Sequence, residues 1–501
     1  MSKELKKLRE ILGEISDLGA AASVLGWDQQ TYMPKGGAGE RAMQLSTLSR
    51  LAHEKFTSDD LGETLEQAAT IVGDLDSDSD EARLVRKTKR DYDKQRKVPS
   101  NWVGEYARVT ALAHQAWEKA RADSDFAHFE PHLEKVFELR HQYVEFFEPF
   151  DHPYDPLLDD FEPGMKTTDV KAVFEALRPH QIELVHEIAE RGEAVDDAVL
   201  HQHFDEHKQW DFGVEVVKAF GYDFGRGRQD KAVHPFTTKF GWGDVRITTR
   251  FDTNFFNTGI FSTMHEAGHA MYEQGVNPEF SRTPLSEGAS LGMHESQSRM
   301  WENLVGRSKA FWVGFYPSLQ ETFPSQLGNV DLESFYRAIN KVERSLIRVE
   351  ADEATYNLHI MLRFEIELAL IEKKLAIHDL PEVWNSKMEE FLGITPPDDA
   401  QGVLQDVHWS SGLLGYFPTY AIGNLIASQL WVKIKEDIPD IESQIESTKF
   451  DTLLDWLREN IHQHGTKFEP MELLQRVTGS GLTAEPYTRY LREKFGQIYA
   501  L

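Results

Sequence analysis

Apolar residues recur along this chain mostly at steps of three and four. Leu5, Leu8, Ile11, Ile15, Leu18 and Ala22 lay one apolar stripe on a first helix. Comparable stripes run over 39–56, 82–97, 105–121, 132–148, 167–191, 331–375 and 450–463. Met33-Pro34-Lys35-Gly36-Gly37, the acidic run 74–81 and the proline-rich segment 148–164 interrupt them with turn-forming residues. None of these breaks has the length or low complexity of a linker, and no internal repeat is found. Alternation by two is confined to Val233-His234-Pro235-Phe236-Thr237 and Asp244–Thr249, with Phe240-Gly241-Trp242-Gly243 as turn material between them. The pattern predicts a mainly α fold with one small β-hairpin, Pro235 confining its first strand to a sheet edge.

Composition narrows the class. The 501 residues carry 83 Asp+Glu against 54 Lys+Arg, a net charge of −29. That balance argues against a nucleic-acid partner and against docking on anionic lipid. With 40% hydrophobic residues the chain can bury a sizeable core. The absence of cysteine excludes disulfides, Cys-ligated zinc and thiol catalysis. The charged start, Met1 to Lys7, lacks an apolar signal-peptide region, and no stretch approaches a membrane span. The expectation is a cytoplasmic protein with no membrane partner.

The candidate chemistry lies at 261–275, Phe-Ser-Thr-Met-His-Glu-Ala-Gly-His-Ala-Met-Tyr-Glu-Gln-Gly. His265 and His269 are four apart, so on a helix both imidazoles face one metal ion. Glu266 is turned by about 100°, toward an open position where it can take a proton from water. Neutral imidazoles with an open position suit Zn²⁺. Gly268 leaves room for a second helix, and Gly275 fits a helix C′ position. A structural reading competes: Thr263-x-x-Glu266 is also a capping box. A third ligand is needed, and position 275, where a third His would fall in one known extension of the motif, is Gly. A carboxylate from a later helix is expected. Glu295 is the candidate, although Glu302 shares its face, and Glu295 with Arg299 also reads as an exposed i, i+4 pair.

Further motifs follow in order. Asp244-Val245-Arg246-Ile247-Thr248 precedes His265-Glu266-Ala267-Gly268-His269, then come His294-Glu295-Ser296-Gln297, Ile347-Arg348-Val349-Glu350-Ala351-Asp352 and the stretch 402–409, Gly-Val-Leu-Gln-Asp-Val-His-Trp. With Trp27-Asp28, Met33-Pro34 and His462-x-x-Gly465, they span essentially the whole chain. In these motifs the sequence resembles the carboxypeptidase Taq family of metallocarboxypeptidases. The resemblance implies a single domain over 1–501, an all-helical neurolysin-like fold with two lobes about a deep groove and the metal at its floor. It implies a homodimer that removes single residues from the free C-terminus of peptides, with broad specificity. By the same resemblance His265, His269 and Glu295 hold one ion per subunit (Zn²⁺, with Co²⁺ and Mn²⁺ as alternatives), and Glu266 is the general base.

Carboxypeptidases must grip an α-carboxylate, and arginine is shaped for it. Arg348 is the first candidate and Arg246 the second. An Arg348–Asp352 i, i+4 pair is the structural alternative. His408 and Tyr420 can donate to a developing oxyanion, whereas Tyr416 also reads as core packing. Gln405 is placed with the substrate-binding residues. His234 could close the groove's end or be a structural histidine, and Asp244 and Asp406 read as partners that fix neighbouring ligands or arginines. The clusters His201/His203/His207 and Arg83–Lys97 read as solvated helix faces, and Val349–Glu353 lacks the glycine turn of an EF-hand. Two rival functions remain: an endo-acting oligopeptidase of the same fold, and a catalytically silent peptide-binding protein.

Overall fold

The computed structural model describes residues 2–192 and 194–501. It is 69% helical, with one three-stranded sheet among the described residues. Helix formation follows the apolar stripes closely at the N-terminus. Ser2 caps the helix Lys3–Thr31 by accepting from the Leu5 amide (3.2 Å), and Leu5, Leu8 and Leu12 enter a core with Phe56, Leu61, Leu65, Val276 and Phe280.

The predicted stripe over 331–375 is not one helix. It divides into Leu332–Ile339 and Tyr356–Ile371, with a short 3₁₀ turn at Arg348–Glu350 between them. Asp352 explains the break: its buried carboxylate accepts from the amides of Glu343, Ala354 and Thr355 and from the Thr355 hydroxyl. A side chain that offers the backbone such bonds competes with helix continuation and caps the next helix instead.

The sheet also departs from expectation. The strands are β1 (Gln229–Lys231), β2 (Thr237–Gly241) and β3 (Asp244–Thr249), in the order β1-β3-β2. The expected hairpin exists as β2 antiparallel to β3, with Thr237 opposite Ile247 and Lys239 opposite Val245. However, β2 begins where the predicted strand ended, because residues 233–235 lie outside it, and Phe240-Gly241 belongs to the strand rather than to the turn. Pro235 lacks a ladder donor and precedes the pairing. The parallel β1 strand, Gln-Asp-Lys, carries no apolar alternation and was not foreseen.

The chain divides into two compact units. Met1–Arg96, Asp197–Ile339 and Leu430–Gly479 form the first; Lys97–Asp196, Asn340–Gln429 and Ser480–Leu501 form the second. Among the described residues no helix is long and apolar enough to cross a membrane.

Candidate active site

In the first unit, the helix Phe256–Gly275 is buried along most of its length, with His265 and His269 half-buried on its one accessible side. Ser290 caps the helix Leu291–Arg299 by accepting from the Met293 amide (3.0 Å), which continues into a π-helical turn, Met300–Val305. The two helices meet at Gly268. A Cβ there would lie 2.6 Å from the Ser298 Cα and 2.7 Å from the Gln297 carbonyl oxygen, so only glycine allows this approach. The expected close helix contact is therefore present. Gly275 serves the same purpose rather than a left-handed cap: its added Cβ would collide with His462 at 2.6 Å, and Val276 beyond it is extended.

This contact brings His265 Nε2 to 3.6 Å and His269 Nε2 to 3.5 Å from Glu295 Oε2. Ligand atoms of the three residues lie within 4.8 Å of one another. Both imidazoles have their other nitrogen occupied. His265 Nδ1 donates to Glu302 Oε2 at 2.9 Å. His294 Nε2 donates to Glu273 Oε1 at 2.8 Å, and the tautomer with its proton on Nε2 accepts at Nδ1 from His269 Nδ1 at 2.6 Å. Each Nε2 thus presents a lone pair toward the carboxylate, the tautomer a metal ligand needs. Lys239 Nζ closes the second chain on Glu273 Oε2 at 2.7 Å.

The carboxylates here stay ionised. Burial pushes Glu295 and Glu302 up, but Arg299 and the neighbouring histidines outweigh it. Glu302 is held at about 2 and Glu295 well below the usual carboxylate range. Arg299 touches both, Nε to Glu295 Oε1 at 2.7 Å and Nη1 to Glu302 Oε2 at 3.1 Å. The anticipated i, i+4 pair exists, then, but buried rather than exposed. Burial takes His269 down to about 4. Burial pushes His265 down too, but Glu295 and Glu302 outweigh it and raise that imidazole above its ordinary value. Two imidazole nitrogens and an ionised carboxylate oxygen fit a divalent ion of the Zn²⁺ type.

Glu266 is buried, and burial pushes its carboxyl above the ordinary glutamate value. It is held by β2: Thr237 Oγ1 lies 2.7 Å from Glu266 Oε2 and 2.9 Å from the Glu266 carbonyl oxygen. Thr237 and Lys239, two apart on the strand, reach Glu266 and Glu273 respectively. The capping-box reading fails, because Thr263 sits mid-helix and donates to the Gly259 carbonyl.

Arg246 and His234 also belong to this unit. Arg246 is clamped on Asp244 by two 2.8 Å bonds and lies between Trp27 and Phe240, 4.4 and 4.7 Å from their ring centroids. His234 is exposed in the loop before β2. His201 pairs with Asp197 at 3.0 Å, outside any metal-like cluster among the described residues.

The second unit gathers Arg348, Gln405, His408 and Tyr420. Arg348 is buried and does not pair with Asp352. Its Nε and Nη2 donate to Asp406 Oδ1 (3.0 and 2.8 Å) and its Nη1 to the Tyr356 hydroxyl (3.0 Å). Gln405 Oε1 accepts from the Arg348 amide and from Arg363 Nη2, both at 2.8 Å. Gln405 therefore serves the chain itself. His408 Nε2 lies 3.4 Å from the Tyr420 hydroxyl, and burial takes His408 down to about 4. Tyr416 packs against Phe161 and His408, 5.1 and 5.2 Å between ring centroids. Asp244 and Asp406 both hold arginines, as expected.

Sequence reasoning missed the parts played by Thr237, Lys239, Glu273, His294 and Arg363. Glu273 carried a legible signal, four residues beyond His269 on the same face. Arg363 carried one too, as the single cation within the largely apolar helix Tyr356–Ile371.

A mainly helical chain with a buried His/His/Glu donor set and a glutamate next to the first ligand has the make-up of a metallopeptidase. The family model described as carboxypeptidase Taq (M32) metallopeptidase matches residues 7–495, and the chain belongs to that family. It is 42% identical to thermostable carboxypeptidase 1 of Thermus thermophilus, covering 99% of this chain and 98% of that one. It is 40% identical to carboxypeptidase 1 of Bacillus subtilis, covering 99% of both. The crystal structure of the M32 carboxypeptidase of Deinococcus radiodurans superposes with a TM-score of 0.97 at 42% identity, over the full length of both chains. The protein is a metallocarboxypeptidase, a hydrolase acting on peptides.

Proposed function

We propose that the chain removes single residues from the free C-terminus of peptides, using one Zn²⁺ held by His265, His269 and Glu295. The observation that carries this reading is the paired tautomer control: both Nδ1 atoms are engaged, so both Nε2 lone pairs converge on one carboxylate. A divalent ion in that position supplies Lewis acidity to the scissile carbonyl and to water. Glu266, raised by burial and aimed by Thr237, takes the proton from the attacking water and later returns it to the leaving amine. His408, neutral by burial, and Tyr420 donate to the developing oxyanion.

Arg348 receives the terminal carboxylate. By donor count, one N–H on each terminal nitrogen remains after the bonds to Asp406 and Tyr356, which is the pair a bidentate carboxylate takes. Arg246 is the second candidate anchor: Asp244 takes one edge of its guanidinium, Nε and Nη2, and leaves the Nη1 side for a ligand. A cytoplasmic homodimer belongs to the same reading, and light scattering on the eluted protein tests the dimer. The decisive experiment couples metal analysis to hydrolysis of matched peptides with free and amidated C-termini. One equivalent of zinc with turnover of the free peptide alone is expected. Equal turnover of both would make the enzyme an endopeptidase. Metal binding without turnover would make it a silent binder.

A further inference from the structure

Arg363 has no solvent exposure at all, so it cannot touch a substrate. Each nitrogen of its guanidinium is engaged: Nε on Asp406 Oδ2 (2.7 Å), Nη2 on Gln405 Oε1 (2.8 Å) and Nη1 on the His359 carbonyl (2.6 Å). Its face lies 4.6 Å from the Trp384 ring centroid. Burial, with Arg348 beside it, pulls Arg363 down to about 10 against the attraction of Asp406, so it stays a cation at neutral pH. Arg348 holds the other oxygen of the same carboxylate.

The result is a buried cluster of two cations and one anion. Among the described residues Asp406 is the one carboxylate either guanidinium pairs with. Glu367, one turn beyond Arg363 on the same helix, is bonded to Tyr154, Trp409 and the Gly415 amide instead. A plain Arg–Asp pair would be neutral. Burying a further full charge costs several kcal/mol unless something offsets it. The cluster is one negative charge short, and of the two guanidiniums only Arg348 has any exposed surface at which to meet that charge.

We propose that Arg363 is a positioning residue for recognition of the terminal carboxylate: by sharing Asp406 it lets that carboxylate orient Arg348 without neutralising it. The inference rests on the reading of Arg348 as the anchor. Without Arg363, Asp406 pairs with Arg348 alone, and the cluster no longer calls for an anion.

Steady-state kinetics on a free and an amidated peptide of the same sequence test this, with thermal unfolding and metal content as checks on folding. R363M should raise KM for the free peptide about ten-fold, a charge-assisted contact being worth roughly 1.5–3 kcal/mol, and leave kcat within about two-fold. R363M/D406N restores one net positive charge and should recover most of the lost KM. A merely structural role predicts the opposite, since the double variant loses more contacts than the single one. Unchanged KM in R363M, or a double variant worse than the single, overturns the proposal. If R363M does not fold, the double variant alone decides: retained preference for the free carboxylate supports the proposal and lost preference overturns it. R348A separates the two readings. If R348A keeps the preference for free C-termini, the anchor assignment is wrong. If R348A loses it while R363M does not, only the role of Arg363 falls.

Discussion

Around His265 the buried side chains converge as acceptors: two imidazole lone pairs and Glu295, with Glu302 and Glu273 behind them. Around Asp406 they converge as donors, two guanidiniums on one carboxylate. Both clusters satisfy the rule that buried polar groups find partners, yet each does so incompletely and with opposite sign. In the first, neighbouring groups fix which nitrogen carries the proton, so what remains open is lone pairs. In the second, a shared counter-ion fixes the arginine, so what remains open is N–H groups. A buried cluster therefore states what it will bind through the kind of valence it leaves over: lone pairs suit a cation, and N–H groups suit the anion proposed above.

Four measurements can break or sharpen this contrast. The largest effect belongs to Glu295. Glu295→Ala should abolish activity and stoichiometric metal together, whereas Glu302→Ala, which frees His265 Nδ1 and one Arg299 contact but removes no ligand, should weaken metal affinity by about 10–100-fold. Full metal occupancy in Glu295→Ala, checked by elemental analysis, would reverse their roles. Next comes Glu266→Gln, which keeps the shape but accepts no proton. Metal should be retained while kcat falls by at least ~10²-fold, and a near-normal rate would contradict the mechanism. Third, Arg348→Ala should lower kcat/KM for free C-terminal peptides by roughly ten- to a hundred-fold with metal content unchanged. Retained discrimination against the amide would move the anchor elsewhere.

The smallest effect is on stability. Glu367 in the second unit is wholly buried, and burial pushes its carboxyl up to about 7 from an ordinary value of 4.5, despite the donors Tyr154, Gly415 and Trp409. The folded protein then binds a proton there that the unfolded chain has already released. The corresponding stability is complete below about pH 4.5 and disappears as pH rises through about 7, on the order of 3 kcal/mol in all. The thermal midpoint of the wild type should fall from pH 5 to 8 relative to Glu367→Gln. Parallel curves would show that Glu367 titrates normally.

The metal cluster was more legible in the sequence than the arginine cluster, for a physical reason. His265 and His269 declare themselves by a spacing that one helix converts directly into geometry. Glu295 could not be separated from Glu302 by spacing, because seven residues bring both to one face. It took the contact at Gly268 to put the first beside Nε2 and the second beside Nδ1. The structural alternative for Arg348, an i, i+4 pair with Asp352, needs a helix running on through residues that Asp352 diverts into a cap, and Arg348 does not make it. Its real partner lies 58 positions away along the chain, beyond the reach of any local pattern. The sheet failed similarly: β1 is recruited by β3 and has no apolar signature of its own.

The contact at Gly268 has a consequence for ion choice. With main chain against main chain there, the helix that carries the imidazoles and the helix that carries Glu295 already lie as close as their backbones allow. Such a cradle sorts ions by radius and appetite. An ion the size of calcium, which wants six to eight oxygen neighbours at about 2.3–2.6 Å, would find a single carboxylate beside two nitrogen donors in this set. A compact ion content with nitrogen donors is accommodated without strain. The missing side chain at one glycine thus acts as a gauge.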